Sequence, residues 1–335
     1  MNINELIKDG GCKQVIFAIT NFCNGSCQFC GFNQNNHFVR ENLALNEGLK
    51  AIEHLAKNNV KIISLTGGEP LLNPHLEDFI KHCNAYSIIC RTGTNGINLN
   101  EERIEKLKVA GLASMWLSID SDDPQIHDLN RGKSGLFQHV CQMRAFGEKL
   151  GIEMGAGIAI SKLIKNYGKL FSLLKDNGFK KATFAYPSTA MNSSYKATSD
   201  NIICQFTQQE LSEIIDTIIQ YKSSTDSVKV GNSFIALKLM YDHLTLHQNL
   251  PKCYAGEKIF YLDWKLHLYR CFTYKSYGHL FDVDLGNMDA PDCSACYSQC
   301  FRDYSLYYPV IKDENTTNSF LAWYEMINEQ NMLGF

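Results

Sequence analysis

Cysteines stand at positions 23, 27 and 30, within Cys23-Asn24-Gly25-Ser26-Cys27-Gln28-Phe29-Cys30, directly after the apolar run Val15-Ile16-Phe17-Ala18-Ile19-Thr20. The spacing is C-x3-C-x2-C. Three thiolates on one short loop can ligate three irons of a cubane iron–sulfur cluster, because the turns between them bring the sulfurs to one centre. A fourth iron then has no protein ligand, and an open iron can bind and reduce a small molecule. The rival chemistry is structural zinc, which wants four closed ligands; the nearby fourth candidate is His37. A second group of thiols follows late in the chain, at Cys253, Cys271, Cys293, Cys296 and Cys300. Metal or cluster ligation is the natural reading of such clustering where disulfides are not expected. The other five of the 13 cysteines, at 12, 83, 90, 141 and 204, are scattered and read as small core residues.

The elements that must position these groups alternate along the first half of the chain. Strand-like runs fall at Val15–Thr20, Lys61–Leu65, Ser87–Thr92, Ala113–Ile119, Ile152–Ile160 and Lys181–Tyr186. Helix-period runs lie between them. Asn46 is placed to cap the first and Asn73-Pro74 to open the second. Six β-α units in a row predict a parallel sheet, and right-handed crossovers curl it toward a barrel. In such barrels function sits in loops after the strands' C-terminal ends. The three cysteines follow the first strand, Gly67-Gly68-Glu69-Pro70 the second and Thr94-Asn95-Gly96 the third, while Ser118-Ile119-Asp120 ends the fourth. A polar stretch at 188–206 reads as a loop over the substrate, two helices follow, and the residues around Asp263–Leu266 predict a hairpin that brings Cys253 and Cys271 together.

The thiol spacing followed by Gly-Gly-Glu-Pro resembles the radical S-adenosylmethionine (SAM) superfamily over roughly residues 14–187. The resemblance implies a partial (β/α)6 TIM-like barrel, an α/β fold, over residues 1–235. It implies that Cys23, Cys27 and Cys30 hold a [4Fe-4S] cluster. It implies that Gly67, Gly68, Glu69 and Pro70 contact the methionine amino group, and that Thr94, Asn95, Ser118 and Asp120 contact the ribose and methionyl parts. Arg131 resembles a family arginine that pairs with the cofactor carboxylate, a bidentate task suited to a guanidinium. The tail, residues 236–335, resembles the short "twitch" form of the SPASM-type auxiliary-cluster domain. The usual short pattern selects Cys253, Cys271, Cys293 and Cys296 as ligands, with Cys300 left over as a candidate hydrogen-atom donor to a substrate radical; Cys300 as a ligand in place of Cys293, or as a buried structural thiol, are the alternatives. Zinc on the tail thiols is the alternative. The chemistry implied is reductive cleavage of S-adenosylmethionine to a 5′-deoxyadenosyl radical that abstracts hydrogen from a C–H bond. An external one-electron reductant, flavodoxin- or ferredoxin-like, supplies the electron.

Composition bounds the substrate and the compartment. At 335 residues and 45% apolar content the chain can bury a sizeable core. A formal net charge of −3 gives no bulk attraction to nucleic acid or anionic membrane. No apolar run approaches the roughly eighteen residues of a membrane span, and Met1-Asn2-Ile3-Asn4-Glu5-Leu6 lacks the charge pattern of a signal peptide. The expectation is a cytoplasmic enzyme. Short twitch-type relatives act on sugars, aminocyclitols and cofactor precursors. Peptide maturases often carry a leader-binding domain before the first thiol group, and little chain precedes Cys23. A small polar substrate is therefore expected, with dehydrogenation, epimerisation or elimination as the outcome. A peptide-modifying maturase and a non-catalytic iron–sulfur or zinc protein are the alternatives.

Overall fold

The computed structural model describes residues 12–34, 39–187, 191–195, 202–224, 228–247, 250, 252–288, 293, 296 and 298–305. Six strands, β1 (Lys13–Ala18), β2 (Val60–Thr66), β3 (Ile89–Thr94), β4 (Ser114–Ser118), β5 (Glu153–Ala159) and β6 (Lys181–Ala185), lie side by side in chain order, every pair parallel. A two-residue strand, β7 (Lys229–Val230), continues the sheet beyond β6. On the other edge β8 (Ile259–Leu262) pairs parallel with β1, and the hairpin it forms with β9 (His267–Tyr269) leads to β10 (Ser276–His279). The hairpin expected at Asp263–Leu266 is therefore present, and it is built onto the barrel sheet. Asp263 organises its turn, with one carboxylate oxygen accepting from the Lys265 and His267 amides at 2.9 Å.

Helices cover the outer face: α1 (Leu45–Lys57), α2 (Leu76–Ala85), α3 (Glu101–Ala110), α4 (Pro124–Arg131), α5 (Leu136–Lys149), α6 (Tyr167–Asp176), α7 (Gln208–Lys222) and α8 (Phe234–Leu246). Most turn one apolar stripe inward; in α1 that stripe is Ala51, Ile52 and Leu55, all fully buried, whereas α4 buries the polar His127, Asn130 and Arg131. Burying a Leu or Ile side chain contributes about 1.5–3 kcal/mol. Two expected helix starts differ. Helix α1 begins after Ala44, without a side-chain cap, and Asn46 lies inside it. Asn73 is fully buried and its amide donates to the Ile19 and Leu43 carbonyls, so it ties β1 to α1, while α2 starts after His75.

The last described element, α9 (Gln299–Ser305), touches both β6 and β8. Those strands are far apart in the sheet order, so one short helix can reach both only because the sheet curls. The fold is a partial TIM-like barrel, and α9 bridges its open side. Asn232 helps seat it: its Oδ1 accepts from the Phe184 amide, while its Nδ2 donates to the Phe184 carbonyl and to Asp303.

Candidate active site

Beyond β1 the chain is held against the turn after β2. The Gly68 amide donates to the Thr20 carbonyl at 2.9 Å and the Glu69 amide to the Phe22 carbonyl at 2.7 Å. The two glycines are required by this approach. A Cβ on Gly67, where φ is +138°, would lie 2.1 Å from the Thr20 oxygen, and one on Gly68 would lie 2.2 Å from the Phe22 oxygen. The Gly-Gly pair thus fixes the base of the thiol loop. The far side of that loop is pinned by the C-terminal end of α4: Ser26 donates from its amide to the Arg131 carbonyl and from its hydroxyl to the Asn130 carbonyl, and the Gln28 amide donates to Asn130 Oδ1.

Within the loop, an ideal Cβ on Gly25 would stand 3.7 Å from Cys27 Sγ and 3.8 Å from Cys23 Sγ, so both sulfurs face the same small space. The Gly25 amide donates to Cys23 Sγ at 3.4 Å. Burial pushes the Cys27 thiol up to about 12, against the pull of Arg131, and raises Cys23 as well. Such thiols hold their protons until a metal displaces them.

Glu69 is 1% exposed, and both of its carboxylate oxygens accept hydrogen bonds. Its Oε1 accepts from Thr94 Oγ1 at 2.7 Å and from the Leu71 amide, and its Oε2 accepts from the Asn95 amide at 2.7 Å. Burial raises its pKa in spite of these donors. The Asn95 side chain donates to Asn24 Oδ1 and toward Cys23 Sγ, and Ser118 donates to the Thr94 carbonyl. Burial alone would raise the Asp120 carboxyl; the Arg131 guanidinium outweighs it and holds the carboxyl below its usual range. The pair is bidentate, Nε to Oδ2 at 2.6 Å and Nη2 to Oδ1 at 2.5 Å, with Asn130 donating to Oδ2 as well. His127 is pushed down to about 4 by burial, so it is neutral and its Nδ1 accepts from the Asp120 amide. Asp120 therefore orients Arg131 beside the thiols.

These groups line one cavity of about 370 Å³ at the C-terminal ends of the strands, which contains Cys23, Cys27, Cys30, the Gly67–Pro70 turn, Thr94, Asn95, Ser118, Asp120 and Arg131. Cys300 lies in the same wall. A second cavity of about 210 Å³ continues into the barrel interior and shares Thr66, Trp116, Tyr195, Phe272, Gln299 and Cys300 with the first. Sequence reasoning missed Trp116, Gln299 and Asp303. Trp116 stood in an expected strand, but its inward direction had no signal; Gln299 and Asp303 enter through α9, whose insertion no periodicity announces. Of the expected loop over the substrate, Met191–Tyr195 and residues 202–206 are described: the Asn192 and Ser193 amides donate to the Phe272 carbonyl, Tyr195 stacks on Phe272 at 3.9 Å, and Ile202–Cys204 form a 3-10 turn. Residues 188–190 and 196–201, like His37, lie outside the described residues.

The tail thiols form a second locus. Cys253 accepts from Ser305 Oγ at 3.7 Å, and Cys271 Sγ lies 3.2 Å from Thr273 Oγ1. Arg302 donates to the carbonyls of Cys296 and Cys293 at 3.0 and 2.9 Å. Cys271 lies within electrostatic reach of Cys296 and Cys253, and Cys296 within reach of Cys293 and Cys253. Cys300 faces Asp303 and Arg91 instead, and burial pushes its thiol up to about 11. Thus one face of α9 builds the tail locus and another lines the barrel cavities. Among the described residues no three His, Cys, Asp or Glu side chains converge tightly enough to hold a single metal ion; cubane thiolates bind separate irons and stand further apart. None of the 13 cysteines forms a disulfide, and the five scattered ones are buried.

A parallel partial barrel whose first loop carries three thiols beside a Gly-Gly-Glu-Pro turn and a buried arginine defines a class of cofactor-dependent enzyme cores. Residues 17–143 match the family model described as the Radical SAM superfamily. The matched residues correspond to a radical SAM domain, and that family uses a [4Fe-4S] cluster and S-adenosylmethionine. An AdoMet-dependent heme synthase of Oleidesulfovibrio alaskensis is 24% identical over 181 residues, 53% of this chain and 47% of the relative. The sporulation killing factor maturation protein SkfB of Bacillus subtilis is 32% identical over 120 residues, 36% of this chain and 29% of the relative. The chain spans about half the length of the curated heme-synthase relatives it matches. Streptococcus suis SuiB bound to S-adenosylmethionine shares the fold at a TM-score of 0.63 and 14% identity, over 82% of this chain and 65% of SuiB.

Proposed function

We propose that this protein cleaves S-adenosylmethionine reductively and uses the resulting radical to take a hydrogen atom from a small polar metabolite. The observation that carries the reading is that the two cavities share a wall: one collects the thiols and the cofactor-type contacts, and the other, behind it, sets the polar side chains of Gln14, Ser64, Arg91, Gln299 and Asp303 among apolar ones. A chamber of about 210 Å³ suits the reacting part of a sugar- or aminocyclitol-sized molecule. The relatives' names range from heme synthesis to peptide maturation, so they do not choose among substrates.

Cys23, Cys27 and Cys30 are the proposed ligands of the first cluster, and the clustered pair of loops that fixes them fits that role. Bound there, the cluster and S-adenosylmethionine would supply a 5′-deoxyadenosyl radical, with the electron drawn from an external flavodoxin- or ferredoxin-like reductant. Arg131 offers a charge to the cofactor carboxylate, and Asp120 holds it in place. The Gly67–Pro70 turn and Glu69 offer acceptors to the amino group. Thr94, Asn95 and Ser118 line the remaining wall. Cys253, Cys271, Cys293 and Cys296 are the proposed ligands of an auxiliary [4Fe-4S] cluster.

Cys300, in the shared wall of both cavities, is the proposed donor of a hydrogen atom to a substrate carbon radical. That transfer breaks S–H and forms C–H, and it leaves a thiyl that one electron and one proton restore. The expected outcome of Cys300→Ala is retention of both clusters and of substrate hydrogen abstraction, with failure to complete turnover. The test of substrate class is a metabolite screen for increased 5′-deoxyadenosine yield by the reduced holoenzyme. A sugar or aminocyclitol should raise it. A precursor peptide raising it in place of metabolites would replace this reading by a peptide maturase.

A further inference from the structure

Arg270 is 1% exposed, and neither of its Nη atoms has a hydrogen-bond partner. An unpaired buried cation costs several kcal/mol, and such a group in a folded protein calls for an anion. The contact it does make is insufficient. Its guanidinium carbon sits 4.9 Å from the Tyr274 ring centroid, which compensates the charge through the face and leaves the N–H edges unsatisfied. The neighbourhood supplies the missing partner. Arg270 directly precedes Cys271, and the Tyr274 hydroxyl lies within electrostatic reach of Cys293, Arg270 and Cys271 together. A cubane on four thiolates carries net negative charge and gains one more on reduction.

We propose that Arg270 is the counter-charge of an anionic iron–sulfur centre on Cys253, Cys271, Cys293 and Cys296, and that it raises that centre's reduction potential. The proposal rests on the auxiliary-cluster reading. Arg270 acts through the cluster and is a positioning residue with an electrostatic effect. A nearby positive charge stabilises the reduced, more negative form more than the oxidised one. The Ser305 and Thr273 hydroxyls beside Cys253 and Cys271 act in the same direction. The potential so set decides whether the tail centre can accept an electron from a substrate radical.

The test is a redox titration, followed by electron paramagnetic resonance, of the full-length chain carrying Cys23→Ala, Cys27→Ala and Cys30→Ala, so that only tail iron reports. Adding Arg270→Met should disfavour reduction roughly tenfold, about 59 mV for one electron, and Arg270→Lys should stay near the parent. Loss of iron in Arg270→Met with retention in Arg270→Lys also supports the charge role. An unchanged potential in Arg270→Met overturns the proposal, as does loss of iron in both variants, which would mark a role in shape. Zinc or no metal in the tail of the parent overturns the auxiliary-cluster reading itself and this proposal with it. That outcome differs from an iron centre indifferent to Arg270.

Discussion

At the residue scale, the polar groups around the thiol loop act in pairs, and their removal has consequences for the partner left behind. Arg131→Met strips Asp120 of its bidentate partner inside a buried network. Leaving one member of a buried pair behind costs about 3–5 kcal/mol, so this variant should lose stability in urea as well as S-adenosylmethionine affinity, while iron content holds once folded. Normal cofactor binding by the folded variant would exclude Arg131 from the carboxylate contact. Glu69→Ala leaves the Asn95 and Leu71 amides unpaired, each worth about 1–3 kcal/mol, and should weaken cofactor binding with iron unchanged.

Asp303 gives a pH signature. Burial pushes its carboxyl up to about 7, against Gln299 and Asn232. The folded state therefore prefers the neutral acid, and its contribution is full below the ordinary aspartate value and lost as pH rises through about 7. The stability of Asp303→Asn should fall less than that of the parent between pH 4 and 7. Parallel profiles would show that Asp303 is ionised throughout that range.

At the element scale, what was readable followed period and punctuation. Six strands and the helices between them were legible because apolar positions recur at the spacing of a sheet buried on both faces. The positions of the thiol loop, Gly67–Pro70, Thr94–Asn95 and Ser118–Asp120 at strand ends followed from that order alone. The missed start of α2 has a local cause: Asn73 Oδ1 does accept a nearby amide, but it is that of His75, the residue before the helix, while Nδ2 donates to the Ile19 and Leu43 carbonyls, partners set by tertiary packing. The role of the glycine pair was visible only in part. Glycine there admits the chain's own backbone at Thr20 and Phe22. Gly68→Ala should therefore separate the turn from the thiol loop and lower iron incorporation at the first site, measured as iron per chain, with tail iron unaffected. Full iron loading in that variant would show that the loop tolerates the displacement.

At the scale of the whole molecule, α9 joins the two loci. Arg302 and Ser305 reach the tail thiols while Cys300 and Asp303 face the barrel. This link was illegible in sequence, because a seven-residue helix carries too little periodicity to show which sides it presents. It gives the proposed tail centre and the proposed substrate chamber one connecting element. The described residues include no helix long and apolar enough to cross a membrane. With two ligand groups occupied, the anaerobically reconstituted protein should hold about eight irons.

The most direct measurement is formation of 5′-deoxyadenosine from S-adenosylmethionine by dithionite-reduced, anaerobically reconstituted protein, set against the Cys23→Ala, Cys27→Ala, Cys30→Ala variant. The parent should form 5′-deoxyadenosine; the variant should form none and keep about half the iron. A fully loaded parent that leaves S-adenosylmethionine intact, or a triple variant that still cleaves it, would contradict the assignment of the thiol loop as the site of radical generation.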